Sequence, residues 1–563
     1  MINLQRATVL VFLAALLTLP WLGEREFYSR GEPREALAAV SMLETGSWVL
    51  GSGYGGVIPS KPPLTHWLMI GFSSLAGKVS EYSARLPSAC AALLFLPYFF
   101  LFVKERTTRE HAFLSAIILL TSIEWFRSSS TARVDMLLAT LTCAAVLELY
   151  RYREAERSST SWTIVLLLSA ATLTKGPIAL FLPAVIFAVG LRCDGRSLSE
   201  IFYRSVRVFA PAVIISSSWY IAAYWYAGEP FLHKFYYENI ARLTSTMVDK
   251  PHRHSIAYLY LTLLSGLFPW SIVGLSVRLA SIKWSSIGLG AIHRVWQRQS
   301  PFDRYSIITI AVFLIFFSIP SSKRSVYLLP IYPLCSCLLA GWILSYSAQA
   351  KQVLRVAIGA ISAVLMSICV VSVILPKLDF VTKASSSAEL LNLQLSFYST
   401  VLSTLLSSSG VVEYCLAVCI LGFGLWLILG NGRSSASTLL LVFGFWLYLI
   451  LLTLNAKVLP AFANALSSKK FAKEIAPYAQ SARRIYSFKR EFYGISFYIN
   501  RGIYTLSQKV RSEDLVLVET GKLSELEDRL SPNLCVQEIM RSTNAIEKPL
   551  EKVSLVRVQG CRR

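Results

Sequence analysis

Long apolar stretches separated by short charged ones fill most of this chain. They recur at the length of a membrane span, about 20 residues for a helix. Such stretches lie at 7–23, 85–103, 111–126, 134–150, 161–174, 177–191, 207–226, 256–277, 305–320, 326–345, 353–375, 411–430 and 436–455. They predict about thirteen spans. The two short ones at 161–174 and 177–191 abut at TKGP, which predicts a tight helical hairpin. Beyond about 456 the pattern changes. NALSSKKFAKEIA and GKLSELEDRL carry helical periodicity, and RIYSF and DLVLVET read as strands. The expected fold is an all-α polytopic membrane domain over 1–455 and a small α/β domain over 456–563.

One stretch decides the topology. PPLTHWLMIGFSSLAG, at 62–77, is apolar but short and carries His66. Counted as a span, it would turn the basic loops KERTTRE (104–110) and RYREAER (151–157) outward. Laid along the interface, it leaves both inside, as the positive-inside rule favours. Residues 24–84 then form one long outer loop with surface helices at roughly 33–45 and 62–76. The tail lies on the outer side as well. Residues 7–23 lack a small-residue cleavage site and read as an uncleaved span.

Composition agrees. Charged residues make up 16% of 563, against about 25% in soluble proteins, and mean hydropathy is +0.52. The formal net charge of +22 comes without a basic stripe interleaved with aromatics on a soluble segment, so nucleic acid is not an expected partner. Most of the ten cysteines fall in apolar runs, without metal-site spacing. Cys535 and Cys561, in the tail, either pair in an oxidising compartment or stay as thiols.

The charged residues that stand out gather on the outer side: Glu32 and Arg34 in SRGEPREA, Lys61 in SKPPLTHW, Asp135 in TARVDML, Lys175 in LTKGP, Glu238 and Arg242 in FYYENIARL, and Lys323 and Arg324 in SSKRSVY. Ions at membrane depth are costly and tend to serve function. Arg25, Lys78 and Lys234 read as helix-end anchors whose stems lie along apolar surface. Asp135 opens a helix, so it either caps that helix or meets substrate. Glu238 stands four residues before Arg242, the spacing of a helical ion pair. His66, His252 and His254 are candidates for a divalent metal, at a spacing that matches no zinc pattern. Trp48 and Trp67 are candidate sugar-stacking groups.

These motifs have a recognisable order. GEPREALAAVSMLETGSW, SKPPLTHW, EYSARLPSA, RVDMLLA, LTKGPIALFLP, FYYENIARL, GLFPWS and FFSIPSSKRSVYLLPIYP resemble, over roughly 5–345, the bacterial lipid-linked glycosyltransferases related to the 4-amino-4-deoxy-arabinose transferase of lipid A and to protein mannosyltransferases. The resemblance implies a C-type fold with its active site above the membrane. It implies a sugar donor on a polyprenyl (undecaprenyl) phosphate and a lipid or glycan acceptor such as lipid A. No cofactor is required by the sequence. The family's Asp-Glu pair before the arginine reads Gly31-Glu32 here, so either Glu32 acts alone or the acidic role has moved. Lys61, Asp135, Lys175, Glu238, Arg242, Lys323 and Tyr327 fall on family positions, and Arg324 is an added cation.

The chemistry asks for these types. A departing phosphate needs cations in a water-poor site: Arg34, Lys61, Arg242, Lys323 and Arg324. Glu238, Tyr327 and Lys175 are further substrate contacts. The attacking group needs a carboxylate to orient or deprotonate it, with Glu32 and Asp135 as the catalytic candidates. Three other readings stand beside this one: a related transferase with a protein acceptor, a lipid transporter, and a binding scaffold. A transporter predicts mid-membrane charges and paired broken helices, and no internal repeat is visible.

Overall fold

The structure is a computed structural model that describes residues 2–51, 59, 61–74, 76–156, 159–244, 246, 253–282, 296–374, 411–430, 434–506, 510–531, 533–548 and 551–561. Most of them are helical, and the helices pack around one extended apolar core that includes Phe99, Trp125, Trp270, Tyr332 and Trp446. Among the described residues six helices are long and apolar enough to cross a membrane: Glu81–Lys104, Leu198–Ala227, Pro301–Ser318, Ser325–Tyr346, Lys351–Ile368 and Ala436–Ser481. Ala257–Gly266 and Trp270–Ala280 make a pair bent by 102°. Gln5–Trp21, Trp162–Lys175, Ile178–Cys193 and Cys415–Leu429 are apolar but shorter. The protein is thus a multi-pass membrane protein. The expected thirteen stretches do not each become an unbroken span, because several are broken or shortened. Residues 111–126, for example, divide into Arg109–Leu120 and Ile123–Ser129, with Thr121 and Ser122 between.

The expected hairpin is present. Trp162–Lys175 ends at Gly176, and Ile178–Cys193 follows directly. Gly176 has φ +123°, and a Cβ there would lie 3.1 Å from Asn239 Oδ1. Only glycine adopts that backbone without strain. The turn thereby delivers Lys175 to the end of its helix.

The first long loop holds two helices, Gly31–Thr45 and Leu64–Ser73. Ten residues rise only about 15 Å, half a bilayer core, so the second does not cross. They pack on each other through Ala36, Ala39, Met42, Met69 and Ile70.

The tail closes over this loop. Its sheet runs β2-β1-β3-β5-β4: β1 (Ile485–Ser487) lies parallel to both β2 (Tyr504–Thr505) and β3 (Leu515–Glu519). Strands β4 (Leu534–Arg541) and β5 (Val553–Gly560) complete it antiparallel. The helices Lys469–Ser481 and Leu523–Arg529 fall where the sequence pattern put them. Cys535 and Cys561 form a disulfide. Phe27 packs edge-on against Phe497 at 5.0 Å. The Tyr498 hydroxyl accepts from Phe27 N at 2.8 Å and donates to Glu81 at 3.0 Å, and Arg30 pairs with Glu491 at 3.0 Å.

Candidate active site

The helix Gly31–Thr45 carries both acids of the GEPRE motif, and they go to different places. Glu32 is buried. Its Oε1 accepts from Arg85 Nε at 2.8 Å and from the Ala132 amide at 3.0 Å, and Oε2 accepts from Arg85 Nη2 at 3.2 Å. Arg85 also donates to the carbonyls of Leu22 (2.6 Å) and Arg25 (2.5 Å). Burial opposes ionisation of Glu32, but the charges of Arg85 and Arg25 outweigh it and hold the carboxyl below its ordinary range. This is a pin between the first loop and the helix Glu81–Lys104. It corrects the reading of Glu32 as the acid beside the phosphate-binding cations. Arg25 belongs to the same pin: it is buried and donates to Ser130 O, so it is not a helix-end anchor.

The carboxylate beside those cations is Glu35, one turn from Gly31. Its Oε1 accepts from Arg34 Nη2 at 2.9 Å and from Lys61 Nζ, and its Oε2 lies 3.1 Å from His66 Nε2. Burial disfavours its charge, yet Lys61, Arg34 and His66 together hold the carboxyl well below the usual range. Burial also pulls the Lys61 ammonium down to about 8, against the attraction of Glu35. The sequence did carry a signal for Glu35: spacing on one helix places it a turn beyond the vacant position at Gly31.

A second acid–cation pair adjoins the first. Asp135, in the first turn of Val134–Glu154, accepts from Lys175 Nζ at 2.6 Å, with Lys61 and Arg133 in electrostatic range. Lys175 also lies 5.1 Å from the ring centre of Tyr327. A third pair, Glu238–Arg242 at 2.8 Å, has the expected i,i+4 spacing, and Glu238 also attracts Arg34. Arg324 joins through Tyr327, Arg133, Arg242 and Asp135. Lys323 turns away: it is buried and donates to Pro320 O. The backbone at Arg324 is extended (φ −137°, ψ 145°), so neighbouring side chains point to opposite sides.

A cavity of about 480 Å³ adjoins the cluster. Lys61, Lys175, Glu238, Arg242 and Tyr327 form its polar end. Leu138, Ile178, Phe181, Phe313, Phe316 and Phe317 form its apolar walls. The Tyr327 hydroxyl, Ser322 Oγ and Arg242 Nε are buried and have no hydrogen-bond partner among the described residues. Buried polar atoms are normally paired, so these are places for a ligand's oxygens.

Among the described residues no three His, Cys, Asp or Glu side chains converge to hold a metal. His66 faces Glu35, His254 stacks on Tyr258 at 4.0 Å, and His252 lies outside the described residues. Trp67 donates to the Trp48 carbonyl at 2.9 Å, and Trp48 is half exposed.

Comparison with known proteins points the same way. Residues 60–227 match the dolichyl-phosphate-mannose-protein mannosyltransferase family. The chain is 26% identical over 392 residues to the undecaprenyl phosphate-alpha-4-amino-4-deoxy-L-arabinose arabinosyl transferase of Pectobacterium carotovorum, covering 67% of each chain. It is 28% identical over 348 residues to the protein of the same name from Shewanella sediminis, covering 61% of this chain and 60% of that one. The match thus spans about 60–67% of the length of these relatives. The crystal structure of ArnT from Cupriavidus metallidurans bound to undecaprenyl phosphate superposes over 99% of both chains, with a TM-score of 0.71 at 17% identity. Over about two thirds of its sequence the chain is thus similar to these arabinosyl transferases, and over its whole length it has the fold of ArnT from Cupriavidus metallidurans.

Proposed function

We propose that this protein moves a sugar from a polyprenyl phosphate carrier to a lipid or glycan acceptor, lipid A being one, by inverting displacement. The reaction takes place at the periplasmic face of a bacterial inner membrane. The observation that carries this reading is one cavity with apolar walls and a polar end that holds Lys61, Lys175 and Arg242. Such a shape suits an isoprenoid tail followed by a phosphate. The relatives' names and the ligand in the similar crystal structure support undecaprenyl phosphate as the carrier. The disulfide in the tail supports an oxidising compartment.

The mechanism follows from the charges. Lys61 and Arg242 meet the donor phosphate and stabilise the charge that grows on it as the glycosidic bond breaks. Lys61 is held by Glu35. Turning towards the phosphate withdraws that cation from the carboxylate. Glu35 then becomes a better acceptor for the proton of the attacking group, and His66 holds its other oxygen in place. The reaction needs no metal in this scheme. Transfer to a protein hydroxyl uses the same groups, and acceptor assays separate the two.

Mass spectrometry of envelope lipids and glycans, with and without the gene, tests the function. Disappearance of one glycosylated species, restored by the parent protein and not by Lys61→Ala, is the expected result. An unchanged envelope would sink the proposal.

Two further expectations arise here. The active form of Lys61 is its ammonium, which titrates at about 8. The kcat/KM profile, which reports the free enzyme, is therefore level from weak acid to neutrality and falls as pH rises through about 8. Glu35 stays ionised across that range. A profile that rises through the same interval contradicts the role of Lys61. Leu138→Trp fills the apolar wall and raises the KM for the polyprenyl donor about tenfold. An unchanged donor KM would place the tail elsewhere.

A further inference from the structure

A second cavity, of about 580 Å³, lies between the helix ends remote from the catalytic cluster. That is the size of a ligand site. Two helices join the two places. Val134–Glu154 carries Asp135 in its first turn and Glu154 at its end, and Ile178–Cys193 runs from just after Lys175 to just before Asp194. The first of them has 21 residues, a rise of about 32 Å, so the cavity sits at the opposite face of the membrane. It is built partly from KERTTRE and RYREAER, the basic loops that the positive-inside rule puts inside.

Among the described residues four guanidinium groups line it, and they are buried more deeply than their partners. The side chains of Arg106, Arg153 and Arg204 are 8–11% exposed, and Arg196 stands nearer the rim at 32%. Glu105 and Glu154 pair with Arg106, Asp194 with Arg153 and Glu156 with Arg196, and these acids are 38–69% exposed. Arg204 keeps Glu200 at 2.8 Å. The cations thus form the inner wall and the lining acids form the rim. Rings as well as carboxylates hold the wall in place. Arg106 lies over Phe102 at 3.9 Å, and Arg153 over Tyr150 at 5.3 Å and Tyr305 at 5.1 Å. Gly190 makes room for Arg153, since a Cβ there would lie 2.8 Å from its Nη1. Arg106 Nε is buried and has no hydrogen-bond partner among the described residues. A rim carboxylate loses little by turning to water. Its guanidinium, kept on a ring, can then meet a phosphate with two donors.

The depth of the cavity favours a lipid as the source of that phosphate. Leu198–Ala227 supplies Arg204, and at the same level of this helix Leu198, Phe202 and Tyr203 are more than half exposed. Apolar side chains laid open in this way mark a surface that meets acyl chains. We propose that this cavity binds the phosphate headgroup of an anionic membrane phospholipid, at the membrane face opposite the catalytic cluster.

The test titrates the melting temperature of the full-length protein in detergent with three probes: dioleoyl-phosphatidylglycerol, dioleoyl-phosphatidylcholine and soluble glycerophosphoglycerol. Phosphatidylglycerol is expected to half-saturate at about tenfold lower concentration than phosphatidylcholine, and about hundredfold lower than the soluble headgroup. Arg153→Gln weakens the phosphatidylglycerol response about tenfold, and Arg196→Gln, nearer the rim, serves where Arg153→Gln does not fold. Glu154→Gln removes a competitor for Arg106 and strengthens the response about threefold. An ion-pair network that served stability alone would gain no lipid affinity from that change. Lys61→Ala, at the other face, leaves the response as it was. Equal responses to the two lipids overturn the proposal, and so does a phosphatidylglycerol response that the wall and rim variants leave unchanged or that Lys61→Ala abolishes. Equal potency of the soluble headgroup overturns the assignment to a lipid and gives the cavity to a soluble phosphate ester.

Discussion

Glu35→Gln lowers sugar transfer by about 10²–10⁴-fold, the range ascribed to a positioned acid or base, while the protein still inserts and folds. Glutamine keeps the volume of the side chain and its place beside His66 Nε2, now 3.1 Å from the carboxylate. It loses the negative charge that holds Lys61 and Arg34 and the capacity to accept a proton. Lys61 is then no longer poised by a carboxylate, and the attacking group has no acceptor. Initial rates with a polyprenyl-phosphate sugar, normalised to folded protein, make the measurement. Activity within threefold of the parent would remove Glu35 from the chemistry. Donor binding discriminates further: with one counter-charge gone, the phosphate is bound at least as tightly, so the loss falls on kcat and not on KM.

Glu32→Gln has its largest effect on a different quantity. The Glu32–Arg85 pair is fully buried, and Arg25 lies beside it. Removing one partner of a buried pair costs about 3–5 kcal/mol, because the other charge is left without compensation. We expect a marked fall in melting temperature and yield, with activity per folded molecule kept within a few-fold. The double variant Glu32→Met/Arg85→Met recovers part of the lost stability, since an apolar pair is often tolerated where a lone charge is not. The sign with pH is also defined. The folded-state carboxyl sits below its ordinary range, so its contribution is complete at neutral pH and is lost as acid brings it down through its folded value. A Glu32→Gln protein of parental stability that fails in transfer would reverse the roles assigned to the two acids.

These two residues also show where the sequence stops. They sit three positions apart on one helix, on neighbouring faces. The motif marks the segment as chemical, but their partners, Arg85 and Lys61, lie 53 and 26 residues away. Nothing in the local pattern says which acid meets which cation. Lys323 and Arg324 pose the same question in extended chain, where adjacent side chains diverge. There the structure gives Arg324 to the cluster and Lys323 to a backbone carbonyl. Glu238 with Arg242 was legible because both lie on one helical turn. The hairpin at Lys175-Gly176-Pro177 was legible because glycine and proline punctuate the chain locally.

By itself, then, the sequence determined the apolar helices, the two-helix first loop, the strand-and-helix tail and a surplus of basic groups around a few acids. Each of these follows from local hydrophobic period, turn chemistry or composition. Only the tertiary structure decided that Glu35 and not Glu32 stands with Lys61, that Arg133 occupies the space above Gly31, and that an apolar cavity ends at Lys61, Lys175 and Arg242. Ion pairs and cavities form between segments far apart in the chain, so their geometry is set by packing and not by neighbours in sequence.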